Sequence, residues 1–140
     1  MILTQLEVEQ TKAYELYKKQ RGDNFSEIYY LIHLVKHSPY RFDRDGKLYN
    51  GDLAAFALKQ ILNKEQKRIN SAEGFIQKLS SYMDQGGESC EVVYPDGSST
   101  PAAEVLYYEL ARLREHEKTQ HTLTKAGEGE PMEIAYRVTQ

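Results

Sequence analysis

The chain has 140 residues, of which 40% are apolar and 28% are charged, and its net charge is −3. This composition is typical of one soluble folded domain and excludes a disordered chain. No run approaches the roughly 20 apolar residues of a transmembrane helix, and one cysteine excludes an internal disulfide. Because the first residues also lack the basic and apolar segments of a signal peptide, we expect a cytoplasmic protein.

The first predicted helix begins at Thr4. Thr4 and Glu7 have the spacing of a capping box, in which each side chain accepts a hydrogen bond from a backbone N–H at the helix start. Gly22 is suited to closing the helix. The apolar residues at helical spacing are Leu3, Leu6, Ala13, Leu16 and Tyr17.

A second helix is predicted to begin near Asn24, where Glu27 completes another capping box. Ser38 ends it, since a residue that precedes proline avoids the helical conformation. Apolar side chains extend nearly all round this helix, which indicates deep burial. A buried strand over Tyr29–Val35 is the competing interpretation.

The middle of the chain is predicted to hold a loop or hairpin followed by a long helical region. Asp45 and Gly46 form a turn within residues 40–51. The helical region runs over residues 52–84, and unbroken it would reach about 50 Å, far beyond the ~14 Å radius of gyration of such a domain. We therefore predict a break near Asn70.

Residues 41–52 also resemble in part the calcium-binding loop of an EF-hand. Asp43, Asp45 and Gly46 fall on matching positions, and the resemblance implies calcium ligation there. Arg41 stands at the first ligand position, where a carboxylate belongs, and Asp52 replaces the final glutamate. A polar Asp-Gly turn explains the same residues.

The last third of the chain is predicted to hold a strand, a helix and a second strand. The strands are Glu91–Tyr94 and Met132–Val138, the latter with alternating polarity and Leu123 on a partner strand. The helix opens at Pro101 and runs to about Gln120. The predicted fold is α+β: a single domain, residues 1–140, with four to five helices, a small antiparallel sheet and a short C-terminal β element.

Two histidines offer one possible reactive site. His33 and His37 are four residues apart on the second predicted helix, a spacing that lets two imidazoles share a metal ion. The pattern lacks the glutamate of the zinc-protease motif, because Leu34 follows His33. The alternative is that both histidines form the polar edge of a buried helix.

Tyrosine is the unusual feature of the composition, with 11 tyrosines and no tryptophan. Tyrosine suits interaction surfaces, because it combines a large ring with a polar hydroxyl. Arginine offers a planar fork to phosphate or carboxylate. We therefore predict that Arg112 and Arg114, with Tyr107 and Tyr108 nearby, bind an anionic ligand.

These features predict a non-enzymatic regulatory protein that binds a partner protein or sequesters a small anionic ligand, without a cofactor. Residues 1–70 carry 12 Lys/Arg and 9 Asp/Glu, whereas residues 71–140 carry 6 and 12, so opposite charges could pair within or between chains. We expect homo-oligomers, with residues 52–84 as the contact surface. The alternatives are a small metal-dependent enzyme that uses His33 and His37, and a nucleic-acid-binding accessory protein, although acidic residues interrupt both basic stretches.

Overall fold

The computed structural model describes residues 2–23, 25–84 and 90–129, and it confirms the predicted α+β class. Five α-helices and a four-stranded antiparallel sheet lie in this part of the chain. In chain order they are α1 (Lys12–Lys19), α2 (Ser26–Lys36), β1 (Arg41–Arg44), β2 (Lys47–Tyr49), α3 (Gly51–Glu65), α4 (Ala72–Asp84), β3 (Cys90–Val93), β4 (Ser99–Pro101) and α5 (Ala102–Gly129).

The chain divides into two compact units, Met1–Leu110 and Ala111–Gln140. The first holds α1 to α4, the whole sheet and the start of α5. In the second, the described structure is the remainder of α5, up to Gly129. The organisation of residues 1–140 as a single domain stays a prediction. Within the described residues, no helix is both long and apolar enough to cross a membrane.

The sheet has the strand order β2-β1-β3-β4, with every neighbouring pair antiparallel. The predicted hairpin turn is confirmed: Asp45 and Gly46 have φ angles of 58° and 80°, as a two-residue turn between twisted strands requires. The Asp43 carboxylate accepts a hydrogen bond from the Gly46 N–H at 2.9 Å. Asp43 thus supports a turn between two strands, and the implied calcium loop is wrong.

Helix α2 packs against α1 and α3 in the first unit. The predicted helix over this segment is confirmed, and the alternative of a buried strand over Tyr29–Val35 is wrong. Gly51 allows α3 to start against the end of α2: a Cβ there would lie 2.8 Å from the Lys36 carbonyl oxygen and closer still to that of Val35.

The predicted start of α1 at Thr4 is wrong. Residues 8–10 form a 3-10 turn, and α1 begins after Thr11. The Thr11 hydroxyl accepts from the Tyr14 N–H at 3.0 Å and donates to the Val8 carbonyl at 2.8 Å. Thr4 accepts only a local bond, from the Leu6 N–H at 3.1 Å, in the described structure. Leu6 is accordingly exposed instead of belonging to the buried stripe.

The predicted break between α3 and α4 is confirmed. A 3-10 turn over residues 66–68 follows α3, and the Ser71 hydroxyl, one residue beyond Asn70, accepts from the Gly74 N–H at 3.0 Å. Glu65 is buried at this junction, where its carboxylate lies 3.4 Å from Arg68 and 3.8 Å from Lys78. A buried carboxylate with two cationic neighbours therefore lies where α3 gives way to the 3-10 turn.

The region after β3 differs from the prediction in two ways. Strand β4 was not predicted, and α5 begins at Ala102, one residue after Pro101. Helix α5 also continues past Gln120 to Gly129 and includes Leu123, so the prediction of a strand at Leu123 is wrong. The predicted strand Met132–Val138 lies outside the described residues.

Candidate functional site

A groove of about 450 Å³ lies between α3 and one face of the sheet, within the first unit. Most of its lining is apolar, and its few polar residues come from β1, β2, β3 and α3. The sixteen lining residues are Leu3, Val35, Phe42, Arg44, Tyr49, Leu53, Ala54, Ala57, Leu58, Gln60, Ile61, Lys64, Cys90, Val92, Ala102 and Leu106.

Strand pairing builds the floor of this groove. Phe42 of β1 lies opposite Tyr49 of β2 and opposite Val92 of β3. Directly opposed residues of antiparallel strands place their side chains on the same face, and all three line the groove. The next row on that face pairs Arg44 with Cys90. The floor therefore changes from an apolar row to a row that carries a cation and a thiol.

Helix α3 forms the opposite wall. Asn50 caps the helix by accepting a hydrogen bond from the Leu53 N–H at 3.0 Å. Lining residues then recur at three- and four-residue spacing, which places them along one face of the helix. Ala54 and Ala57 are small, so they leave room between helix and sheet. Leu53 remains 55% exposed, and it marks a side of the groove that is open to solvent.

A segment near the N-terminus completes the lining through Leu3, which is 1% exposed. The Leu3 N–H donates to the carboxylate of Glu109 at 2.9 Å. The Tyr94 hydroxyl accepts from the Ile2 N–H and donates to the Ile2 carbonyl oxygen, both at 3.1 Å. These bonds hold Leu3 beside residues more than 90 positions away in sequence.

The two charged side chains of the described groove lining are cations, and the carboxylates of Asp43 and Glu91 are close enough to act on Cys90. Arg44 and Lys64 are the charged members of the described lining, and this lining contains neither a carboxylate nor a histidine. Burial raises the pKa of the Cys90 thiol to about 11; the Arg44 guanidinium opposes this rise, and the Asp43 and Glu91 carboxylates add to it. The thiol is therefore neutral near pH 7. The groove can bind an apolar body and attract an anion.

The two histidines lie at the end of α2 and do not belong to the described groove lining, although Val35 between them does. His33 is in the last turn and half-buried, whereas His37 is the C-cap residue and exposed. Burial lowers the pKa of His33, and positive charge at His37, Lys36 and Lys59 lowers it further. No group of three or more metal-ligating side chains comes together among the described residues. Metal binding by His33 and His37 stays a prediction.

The four residues predicted to bind an anion are divided between the two units. Tyr107 and Tyr108 belong to the first unit and are exposed. Arg112 is half-buried and Arg114 exposed, and both belong to the second unit. None of the four is in the groove lining. Their grouping into one site stays a prediction.

Several other tyrosines are core residues. Tyr14 stacks on Tyr17 with a ring separation of 5.8 Å, and Tyr17 meets Tyr30 edge-on at 5.9 Å. The Arg21 side chain covers this cluster and donates to the Tyr14 hydroxyl at 2.8 Å. Some tyrosines therefore pack in the core, whereas others, such as Tyr107 and Tyr108, are exposed on the surface.

The groove cannot be recognised in the sequence because its floor joins distant segments. Phe42 and Val92 are 50 residues apart, and they become neighbours only through the β1–β3 register. The small residues Ala54 and Ala57 on an otherwise apolar helix face were the one pattern that could have indicated a space beside α3.

A model of the protein family described as "Family of unknown function (DUF5329)" matches residues 23–114. This match covers more than half of the chain, so the chain belongs to that family. The matched range contains every residue of the groove lining except Leu3. Neither the comparison with curated proteins nor the comparison with solved structures found a match.

Proposed function

We propose that this chain is a non-enzymatic binding protein that holds a small ligand with an apolar body in the groove between α3 and the sheet. The observation that carries the proposal is the size and lining of the groove. Its volume of about 450 Å³ lies within the range of small-molecule sites. Such sites are typically apolar with a few placed polar groups, as this one is. We assign the protein to the cytoplasm because its single cysteine suits a reducing compartment.

The chemistry of the lining favours binding over catalysis. Proton transfer in enzymes most often uses histidine or a carboxylate, and neither is present among the described lining residues. Cys90 is the strongest nucleophile of the lining by residue type, but its raised pKa keeps it as a thiol, whereas the thiolate is the reactive form.

Titration with Nile red, an uncharged dye that fluoresces in apolar surroundings, tests the proposal. We expect saturable binding near one dye per groove. Replacing Ala57 with phenylalanine (A57F) fills the space beside α3 and should abolish this signal. A111F is the matched control, because Ala111 is an exposed helical alanine outside the groove lining. Circular dichroism checks that both variants are folded. Equal binding by A57F and the parent protein would contradict the proposal.

We further propose that the protein associates with a second copy of itself through α3. Leu53 and Phe56 are 55% and 60% exposed. Because they are three residues apart on the helix, they share a face. This face lies within the region predicted to mediate self-association. Large exposed apolar side chains that share a face are typical of interaction sites.

Sedimentation of the parent protein and of F56S tests self-association. Phe56 does not belong to the groove lining, so F56S should weaken the dimer and leave Nile red binding unchanged. A parent protein that sediments as a monomer at high concentration would contradict self-association without affecting the groove proposal.

A further inference from the structure

We infer that the ligand is a small amphiphile, with an apolar chain and an anionic head group that Arg44 and Lys64 bind. The inference rests on the proposed function and specifies its ligand class. It starts from the charge of the lining: of the sixteen described residues, two are charged and both are cations. The whole chain carries a net charge of −3. The charged residues of the lining are therefore cations, although the chain as a whole is negatively charged.

On each wall, the cation comes after the apolar lining residues along the chain. On the sheet, Phe42 and Val92 form one row, and Arg44 stands in the next row on the same face, about 7 Å farther along the strand. On α3, apolar lining residues recur from Leu53 to Ile61, and Lys64 lies in the last turn. On each wall, apolar lining residues are thus followed by one positively charged residue.

The sheet wall and the α3 wall are directly connected in the chain. Strand β2 ends at Tyr49, opposite Phe42, and α3 begins after the single residue Asn50. The helix therefore starts beside the apolar row of the sheet, whereas Arg44 lies at the hairpin-turn end. An amphiphile fits this order, because its chain occupies the apolar rows while its charge stays at one end.

Calorimetric titration with dodecanoate, dodecanol and dodecyltrimethylammonium, each below its micelle concentration, tests the inference. We expect dodecanoate to bind about tenfold more tightly than dodecanol, as one charge-assisted hydrogen bond would provide. The cationic amphiphile should bind more weakly than the alcohol. A carboxylate series of increasing chain length should gain about fourfold in affinity per added CH₂ until the groove is full. Dodecyl phosphate distinguishes a phosphate from a carboxylate as the preferred head group.

Variants identify the head-group site. R44Q and K64Q should each reduce dodecanoate affinity about threefold, because together they supply the roughly tenfold advantage over dodecanol, and should leave dodecanol affinity unchanged. R44K keeps the charge and should retain most of the binding, so it separates loss of charge from loss of folding. R41Q and K67Q are matched controls, because both residues are exposed and lie outside the groove lining. These controls should bind as the parent protein does.

The outcomes separate this inference from the proposed function. Nile red binding together with equal affinity for dodecanoate and dodecanol would overturn the anionic head group and leave the proposed function intact. Tighter binding of the cationic amphiphile, failure of all three amphiphiles to bind, or dodecanoate affinity unchanged in R44Q and K64Q would also overturn it. If neither Nile red nor any amphiphile binds, the proposed function is wrong as well.

Discussion

His33 is a weakly basic residue placed among positive charges. Burial is the largest cause of its lowered pKa, and the positive charges of His37 and Lys36 on its own segment, and of Lys59 on α3, act in the same direction. The folded protein therefore resists protonation of this imidazole more than the unfolded chain does. This difference links the state of one side chain to the stability of the fold.

We predict that the free energy of unfolding falls as the pH drops below about 6.5, the ordinary pKa of histidine. The sign follows from proton binding: below that pH the unfolded chain takes up a proton that folded His33 binds less readily, so unfolding is favoured. Urea unfolding at about pH 7.5 and about pH 5 measures the change. H33Q should reduce the pH dependence, whereas H116Q, which removes a histidine of the second unit, should retain it. Equal pH dependence in H33Q and the parent protein would contradict the assignment.

Cys90 gives a second residue-level prediction, because burial raises the pKa of its thiol to about 11. At pH 8 the folded protein should contain about a hundredfold less thiolate than an ordinary cysteine. Alkylation by iodoacetamide should therefore be slow in the folded protein and fast in urea, and mass spectrometry can follow it at this one cysteine. Comparable rates in both states would mean that the thiol is not buried.

At the scale of elements, Thr11 shows where local sequence patterns mislead. Thr4 and Glu7 have the spacing of a capping box, yet the structure starts α1 after Thr11. Thr11 is buried and makes two hydrogen bonds, so tertiary packing selects it over the exposed local pattern.

We predict that T11A destabilises the protein by about 1–2 kcal/mol, as loss of an N-cap does. T4A should change stability by less than about 0.5 kcal/mol. Chemical denaturation of both variants gives the comparison, and equal effects would contradict the observed helix start.

Elements that depend on residues close in sequence are predicted, whereas elements that depend on contacts between distant segments are not. Helix α2, the turn at Asp45–Gly46 and the break before α4 follow from spacing within a few residues, and the structure has them. Strand β4 has three residues, Ser99–Pro101, too short for an alternating pattern. It exists because Glu91, Val92 and Val93 of β3 pair with it. The groove depends on pairing of the same kind, so its apolar and charged residues are visible in the sequence while their arrangement is not.

At the scale of the whole first unit, contacts between distant segments hold the groove together. The Leu3 N–H meets the carboxylate of Glu109 across 106 positions, and the Ile2 backbone meets the Tyr94 hydroxyl across 92. Glu109 is 1% exposed, and burial of a polar group is tolerated when it is hydrogen-bonded. Because Leu3 lines the groove, these bonds connect the stability of the fold to the shape of the site.

We therefore predict that E109Q has two effects. Loss of a charge-assisted hydrogen bond in a buried position should lower the free energy of unfolding by about 1–3 kcal/mol. A less firmly held Leu3 should also weaken Nile red binding, although Glu109 itself is not in the groove lining. E104Q is the matched control: Glu104 lies on the same helix but is exposed, so both quantities should stay near the parent values. Urea denaturation and dye titration of the two variants measure them. A stable E109Q with normal dye binding would show that Leu3 holds its place by packing alone.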